Sequence, residues 1–564
     1  MAIVDKQCAY KEKAPCTKKK SHFCLCSANM ALEPIALLLT VLIAAPLTVL
    51  LLFLVAGNKK AARAASPTPP RRRDRLRLPL PPSPRGLPLV GHLHLLGALP
   101  HRALMSLARA HGPVLLLRLG RVPTVIVSSA AAAEEVMRAR DLTFANRPAS
   151  AMAERLLYGR DVAFAPYGEY WRQVRRVCVV HLLSARHVGS FRRVREQEAA
   201  ALAARVARDS AGGAAVGLSD LLTEYANAVV SRAAFGDESA RGLLDEFDSG
   251  RRQRKVLSDL QKLIGTTPLG ELLPWLGWVD AVTGLEGKIR RTFEALDGLL
   301  EKVIDDHRRR PRNGEDGSHR DFVDVLLDVH EKDQEHGIQL ESNEIKAIIL
   351  DMFAAGTDTT TTVMEWAMAE LVTHPRAMRR AQDEVRAAAA GSTGVNEDHV
   401  AQLDYLKAVL KETLRLHAPV PLLVPREPAA DTEILGYHVP ARTRVLVNAW
   451  AIGRDPATWE RAEEFVPERF LGGGAAANVG FKGQHFELLP FGAGRRMCPG
   501  IAFAEGSAEM ALASLLYHFD WEASRGQNRE GTPSLDMTEM SGITVHIKSG
   551  LPLVSKPWSG SPLN

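Results

Sequence analysis

Cysteine is scarce in this chain. Only six of the 564 residues are cysteine, and Cys8, Cys16, Cys24 and Cys26 all lie within the first 26. So few and so clustered a set excludes a disulfide framework, and leaving only Cys178 and Cys498 to the body of the protein fits a reducing compartment. Neither has a second Cys or His at zinc-site spacing. No G-x-G-x-x-G follows a predicted strand, so a nucleotide-binding fingerprint is missing, and no repeat period is visible. Basic charge is missing from most of the chain as well. Residues 1–77 hold 14 Lys/Arg against 4 Asp/Glu, a balance of +10, which leaves 57 against 61, or −4, for everything after them. A nucleic-acid binder carries its basic face on the folded domain. An excess confined to one end, beside an apolar run, is the arrangement of a membrane-surface anchor.

That run extends from Pro34 to Gly57 and has no charge from Ile35 to Val55, 21 residues. About 20 apolar residues cross ~30 Å of hydrocarbon as a helix, whereas a cleaved signal peptide needs only ~7–15. The expectation is therefore a single N-terminal transmembrane helix. Lys59, Lys60, Arg63, Arg71, Arg72, Arg73, Arg75 and Arg77 follow it, which places the large domain in the cytosol. Met30 opens MALEPIALLL, a sufficient signal-anchor start, so residues 1–29 are taken as an added leader or dispensable tail. Residues 30–57 form the anchor, and residues 58–88 form a basic, Pro-rich hinge held extended by PLPPSPRGLP. From about Leu89 to residue 564 no second linker of that kind occurs, so 89–564 is read as one catalytic domain.

The pattern in that domain is mainly α with a minor β region. Val114 to Ser129 reads strand, Gly-containing turn, strand, and the stretch near Leu435 reads similarly. Long helical patterns cover Phe191 to Asp209 and Ile345 to Leu371.

Two stretches carry chemistry on their own residues. The first is FGAGRRMCPG, Phe491 to Gly500. Gly492, Gly494 and Gly500 allow positive φ and close backbone approach to a flat group. A thiol just ahead of a helix start is expected to be drawn toward the thiolate. One sulfur donor without zinc partners points to a single axial bond to haem iron, with Arg496 placed for a propionate and Phe491 for covering the sulfur. The second is AAGTDTT, Ala354 to Thr360, inside an apolar helix. Gly356 followed by a carboxylate and a hydroxyl makes a notch with proton donors, and Asp358 with Thr359 suits a general-acid relay. Threonines merely back-bonded to helix carbonyls are the bland alternative. Glu412 and Arg415, at i and i+3, lie on one helix face and can pair.

The spacing F-x-x-G-x-R-x-C-x-G is met at Phe491, Gly494, Arg496, Cys498 and Gly500. This segment resembles the haem-binding loop of cytochrome P450 monooxygenases, and the wording FAPYGEYWRQVRR, DMFAAGTDTT and PFGAGRRMCPG is similar to the plant A-type group, nearest the family numbered seventy-one. The resemblance runs from Met30 to the C-terminus. It implies the cytochrome P450 fold, and it places the acid–alcohol pair on Asp358 and Thr359. It joins Arg469 to Glu412 and Arg415 in a buried structural network. Trp171 and Arg175 would lie at the haem edge with Arg175 on a propionate, and Arg426 would be a further propionate partner. Val420 to Val424 become a substrate-lining turn, and a pocket of Ile348, Met352, Ala355, Val420, Leu422 and Leu423 would take a lipophilic small molecule.

The activity so implied is insertion of one oxygen atom from O2 into that substrate by haem b (iron protoporphyrin IX) held by the Cys498 thiolate. Electrons would come from NADPH through a separate NADPH–cytochrome P450 reductase, with cytochrome b5 a further partner. The chain would sit in the endoplasmic reticulum membrane by one span, with no nucleic-acid partner. Arg495 and Arg496 would help dock an acidic reductase surface. A reductase-independent haem-thiolate isomerase or dehydratase, or a non-catalytic haem-binding membrane protein, would have no use for an intact AGTDTT relay.

Overall fold

The computed structural model describes residues 78–245, 247–309, 320–332, 340–524, 535–540 and 542–562. The leader, the anchor and the hinge up to Arg77 fall outside them. Among the described residues no helix is long and apolar enough to cross a membrane. The folded unit begins at Leu78, ahead of the Leu89 boundary expected from the prolines. Prolines lack an N–H, yet their carbonyls still accept. Pro79 O takes the His438 N–H at 2.8 Å and Pro82 O takes that of Leu116 at 2.9 Å, so the last part of the expected hinge lies along the domain.

Nine helices are used below: α1 (Pro100–His111), α2 (Glu169–Val177), α3 (Arg192–Asp209), α4 (Leu218–Asp245), α5 (Leu285–Arg309), α6 (Ser342–Thr373), α7 (Pro375–Ala388), α8 (Asp404–Leu416) and α9 (Ile501–His518). All but α1, which packs against β1, contribute to one large apolar core in which α6 is the central member, with 22 of its 32 residues buried. A helix apolar nearly all round must run through a core, as its composition requires. Glu341 and Glu344 close a capping box at its start. α4 lies against α6, and Gly356 sits at their crossing: a Cβ there would stand 3.0 Å from Val230 Cγ2.

Among the described residues the minor β region has ten short strands. β1 (Val114–Leu119) and β2 (Val122–Val127) form the expected hairpin, with Val114 opposite Val127 and Leu119 opposite Val122. β4 (Thr432–Ile434) and β5 (Tyr437–Val439) pair with each other. β6 (Arg444–Val447) lies parallel to β2, Thr124 opposite Arg444. The strand–turn–strand expected near Leu435 is β4 and β5, which flank Leu435 and Gly436, both at positive φ. Tyr437–Val439 and Arg444–Val447 are both strands but belong to different sheets, because the intervening Pro440 and the positive φ of Arg442 turn the chain away. β3 (Ala215–Gly217), β10 (Pro552–Pro557) and β7 (Phe519–Ala523) make a third, antiparallel sheet. β8 (Glu539–Met540) and β9 (His546–Ile547) form a small hairpin that meets α6.

Candidate active site

A cavity of about 1000 Å³ lies between α6 and the loop that precedes α9. That loop is set by its backbone. Gly492 and Gly494 take φ of 67° and 70°, Gly492 N–H bonds Leu489 O at 3.1 Å, Met497 N–H bonds Gly494 O at 3.0 Å, and Cys498 N–H bonds Phe491 O at 3.0 Å. A Cβ on Gly494 would meet Met137 O at 2.3 Å and Asp141 Oδ1 at 2.4 Å. The close approach at Gly494 is thus to protein backbone, not to a bound group as expected. Gly500 also differs from expectation: its φ is −91° and it caps α9, with Cys498 Sγ 3.9 Å from where its Cβ would be.

Cys498, Phe491, Arg496 and Met497 line the cavity. Burial pushes the Cys498 thiol up, outweighing the Gly500 N–H and the Arg175 charge that favour the thiolate. The helix start thus acts in the expected direction through the Gly500 N–H, and burial outweighs it. A sulfur in so apolar a setting ionises when a cation binds it.

Cations ring the other side. Trp171 and Arg175 on α2 reach the cavity, Trp171 giving its indole N–H to Val162 O at 2.9 Å and Arg175 bonding Met497 O. Arg496 stacks 4.0 Å from the Trp171 ring and donates to Ala145 O (2.7 Å), Val162 O (3.3 Å) and Ala165 O (2.7 Å). Three of its five N–H donors are taken by carbonyls, which the sequence did not anticipate. Arg426 donates to Ala493 O at 2.7 Å, while its Nη1 lies 3.5 Å from Asp141 without a hydrogen-bond acceptor among the described residues. Arg147, missed from the sequence, lines the same wall and bonds Ala163 O, Val424 O and Pro425 O. Its signal was an arginine followed by proline in FANRP, 7% exposed in the fold. Burial, with mutual repulsion among these cations second, pulls Arg496 down to about 9 and Arg147 well below its usual range; burial takes Arg426 to about 10. Burial also raises Asp161, an acid beside Arg147 and Arg496, to about 6.

The opposite wall is α6. Met352, Ala355, Gly356, Thr359 and Val363 line the cavity, joined by Val420 and Leu423. Two expected pocket residues do not. Ile348 shares the α6 face of Met352, Ala355 and Thr359 but lies one turn before Met352, where the helical core covers it fully, and Leu422 packs on the apolar cluster under β1. Thr359 Oγ1 donates to Ala355 O at 2.5 Å, and Thr362 to Asp358 O at 2.8 Å, so the back-bonding alternative is present in the helix. Asp358 is not among the lining residues; its carboxylate turns to the β8–β9 hairpin.

Behind the cysteine loop stands a fully satisfied ionic network. Arg415 binds Glu412 through two bonds of 2.7 and 2.8 Å, and Arg469 reaches Glu412 Oε1 at 3.0 Å. Arg415 also donates to Gly453 O, Ala462 O and Glu464 O, and Val466 N–H bonds Glu412. A buried pair so bonded fixes geometry, and losing one partner costs far more than the pair contributes.

These residues fit haem. A half-buried, free sulfur faces the cavity, and the arginine wall sets Arg147, Arg175, Arg426 and Arg496 beside Asp141 and Asp161 and keeps an unmatched donor on Arg426, which suits two carboxylates on the group's edge. The sequence profile described as Cytochrome P450 matches residues 81–550. Cytochrome P450 71A1 of Persea americana is 49% identical over 474 residues, 83% of this chain and 91% of that protein. Cytochrome P450 71A25 of Arabidopsis thaliana is 45% identical, covering 85% and 93%. A norfluorocurarine oxidase of Strychnos is 43% identical, covering 84% and 92%. A solved zebrafish cytochrome P450 structure with progesterone superposes with a TM-score of 0.68 at 25% identity, covering 81% of this chain and 99% of that one. On this combined ground the chain belongs to the cytochrome P450 family, among its plant 71-type members, and is a haem-thiolate monooxygenase that uses haem b, O2 and electrons passed from NADPH through a reductase.

Proposed function

We propose that the protein oxidises a lipophilic small molecule of plant specialised metabolism, drawing on an NADPH–cytochrome P450 reductase in the endoplasmic reticulum membrane, with cytochrome b5 as an accessory donor. The observation that carries this reading is the apolar wall of Met352, Ala355, Val363, Val420 and Leu423 facing Cys498 across one cavity. Haem held there supplies oxygen activation, and the protein supplies ligation, protons and a shaped pocket. Cys498 Sγ would hold the haem iron. Arg426, with its unmatched Nη1, and Arg175 hold the propionates, while Arg496 keeps the Trp171 segment against the loop. Asp358 and Thr359 carry protons to the cavity at the Gly356 notch. A relay at this place favours the monooxygenase over an isomerase, a dehydratase or a non-catalytic haem protein.

Exposed Trp275, Trp278 and Val282 support a lipid-facing edge. The Leu272 carbonyl beside them bonds Arg121 N–H, and the same β1–β2 turn bonds Val90 next to exposed Leu87 and Leu89. Arg495 contributes little to docking a reductase, because Asp141 holds it at 3.1 Å.

Microsomes holding the protein and its reductase are to be supplied with a panel of lipophilic substrates under ¹⁸O2. The expected product carries one ¹⁸O and depends on NADPH. Conversion that proceeds without NADPH or without ¹⁸O incorporation rejects the reading. Thr359→Ala is expected to release peroxide at the expense of product; unchanged coupling removes the relay assignment.

A further inference from the structure

Asp358 does not stand free at the cavity. Its Oδ1 lies 3.1 Å from His546 Nε2, and its Oδ2 accepts the Thr544 hydroxyl. The other ring nitrogen of His546, Nδ1, lies 3.2 Å from Glu365 Oε2, seven residues further along α6. Glu365 is itself fixed by the Ile547 N–H at 3.1 Å and by the Ser219 hydroxyl of α4. The imidazole is therefore clasped between two carboxylates of one helix, with Thr362 Oγ1 3.2 Å from Nε2. Among the described residues no other charge faces it from the hairpin: Glu539 of β8 is turned to His101 and Arg102, at 2.9 and 2.6 Å.

We propose that His546 is the positioning residue of the relay acid. As an imidazolium it binds Asp358 in carboxylate form on the hairpin side of α6, so relay through Asp358 requires the carboxylate to leave the hairpin. This rests on the reading of Asp358 and Thr359 as the relay. In each delivery Asp358 takes one proton from solvent and passes it to the Thr359 hydroxyl, which passes its own proton on. Asp358 returns to carboxylate, and His546 remains protonated throughout.

The electrostatics agree with the geometry. Burial alone would raise Asp358 and lower His546. The hydrogen bonds and charges of the cluster reverse both, holding Asp358 below its usual range and taking His546 up to about 10. Without the cation, burial governs Asp358, and it becomes a buried acid that titrates at higher pH.

The test uses haem-loaded protein with His546→Gln and His546→Lys, read in two ways. The first is the unfolding midpoint against pH. A group whose pKa is raised on folding stabilises below its unfolded value, near 6.5, and loses that contribution as pH rises through about 10. The advantage of the parent over His546→Gln should therefore be largest near pH 6 and shrink steadily toward pH 10; an advantage that stays constant overturns the proposal. The second is product formed per NADPH against pH. The parent should be flat from about pH 6 to 8. The Gln variant should fall as pH rises, with an inflection displaced upward by at least about one unit, and Lys should restore the flat profile. A Gln profile that superimposes on the parent overturns it. If His546→Gln does not load haem, Thr544→Ala, which removes one bond from Asp358 without a charge, should shift the coupling profile the same way by less, and no shift overturns the proposal. Full coupling in Thr359→Ala would reject the relay while leaving the midpoint result intact, so the two failures are distinguishable.

Discussion

The two walls of the cavity are built by opposite means. The cysteine loop is a local object: three backbone hydrogen bonds within ten residues and two positive-φ glycines set its shape. The notch in α6 is helical throughout, and the direction its acid faces is decided by residues 186 and 188 positions away, Thr544 and His546. A local loop is specified by its own residue types, so any disturbance should act at the loop itself. The notch is specified across the fold, and it should respond to changes in the hairpin that never touch the cavity.

Substitutions can break this contrast. The largest effect is expected from Cys498→Ser, which removes the sulfur. Reduced protein with carbon monoxide should lose the red-shifted thiolate-haem band, and monooxygenation should cease; persistence of the band in folded, haem-loaded variant would reject the ligation. Next comes Glu412→Ala, which leaves Arg415 and Arg469 buried without their acid. A loss of about 3–5 kcal/mol is expected by denaturant unfolding, with poor haem loading. Gly494→Ala should follow. The backbone there is left-handed, which costs a non-glycine residue about 1–3 kcal/mol, and the methyl meets Met137 O and Asp141 besides. The smallest effect should come from Gly500→Ala, under about 1 kcal/mol, since φ is ordinary and only Cys498 Sγ lies within contact. Equal costs at Gly494 and Gly500 would show that the loop is not set by its left-handed positions.

Much of the site was legible before the fold. Cys498, Phe491 and Arg496 sit together because the loop is local, and Glu412 with Arg415 pair because i and i+3 share a helix face. The α6 pattern was legible from its apolar run, as were the β1–β2 hairpin and the α3 helix. The rest depended on partners. Ile348 and Leu422 are apolar and sit close to lining residues in sequence, yet the core covers them, since composition does not say where along a helix or turn a cavity ends. Arg496 has the residue type for a propionate but spends three of its five donors on Ala145, Val162 and Ala165 carbonyls brought in from over 300 residues away. Arg147 gave almost no signal alone and becomes notable only beside Arg426 and Arg496.

The sequence by itself determined the family and the class of chemistry, and it singled out Cys498 and the Gly356 notch as candidates, because each rests on residue types at short, fixed spacing. Only the tertiary structure decided the charge and direction of those groups. Burial is a property of everything packed around an atom: it raises the Cys498 thiol despite a nearby helix start, and it sets four arginines against one another. Contact across the fold likewise ties Asp358 to His546 rather than leaving it at the cavity, a pairing that no local reading of AGTDTT contains.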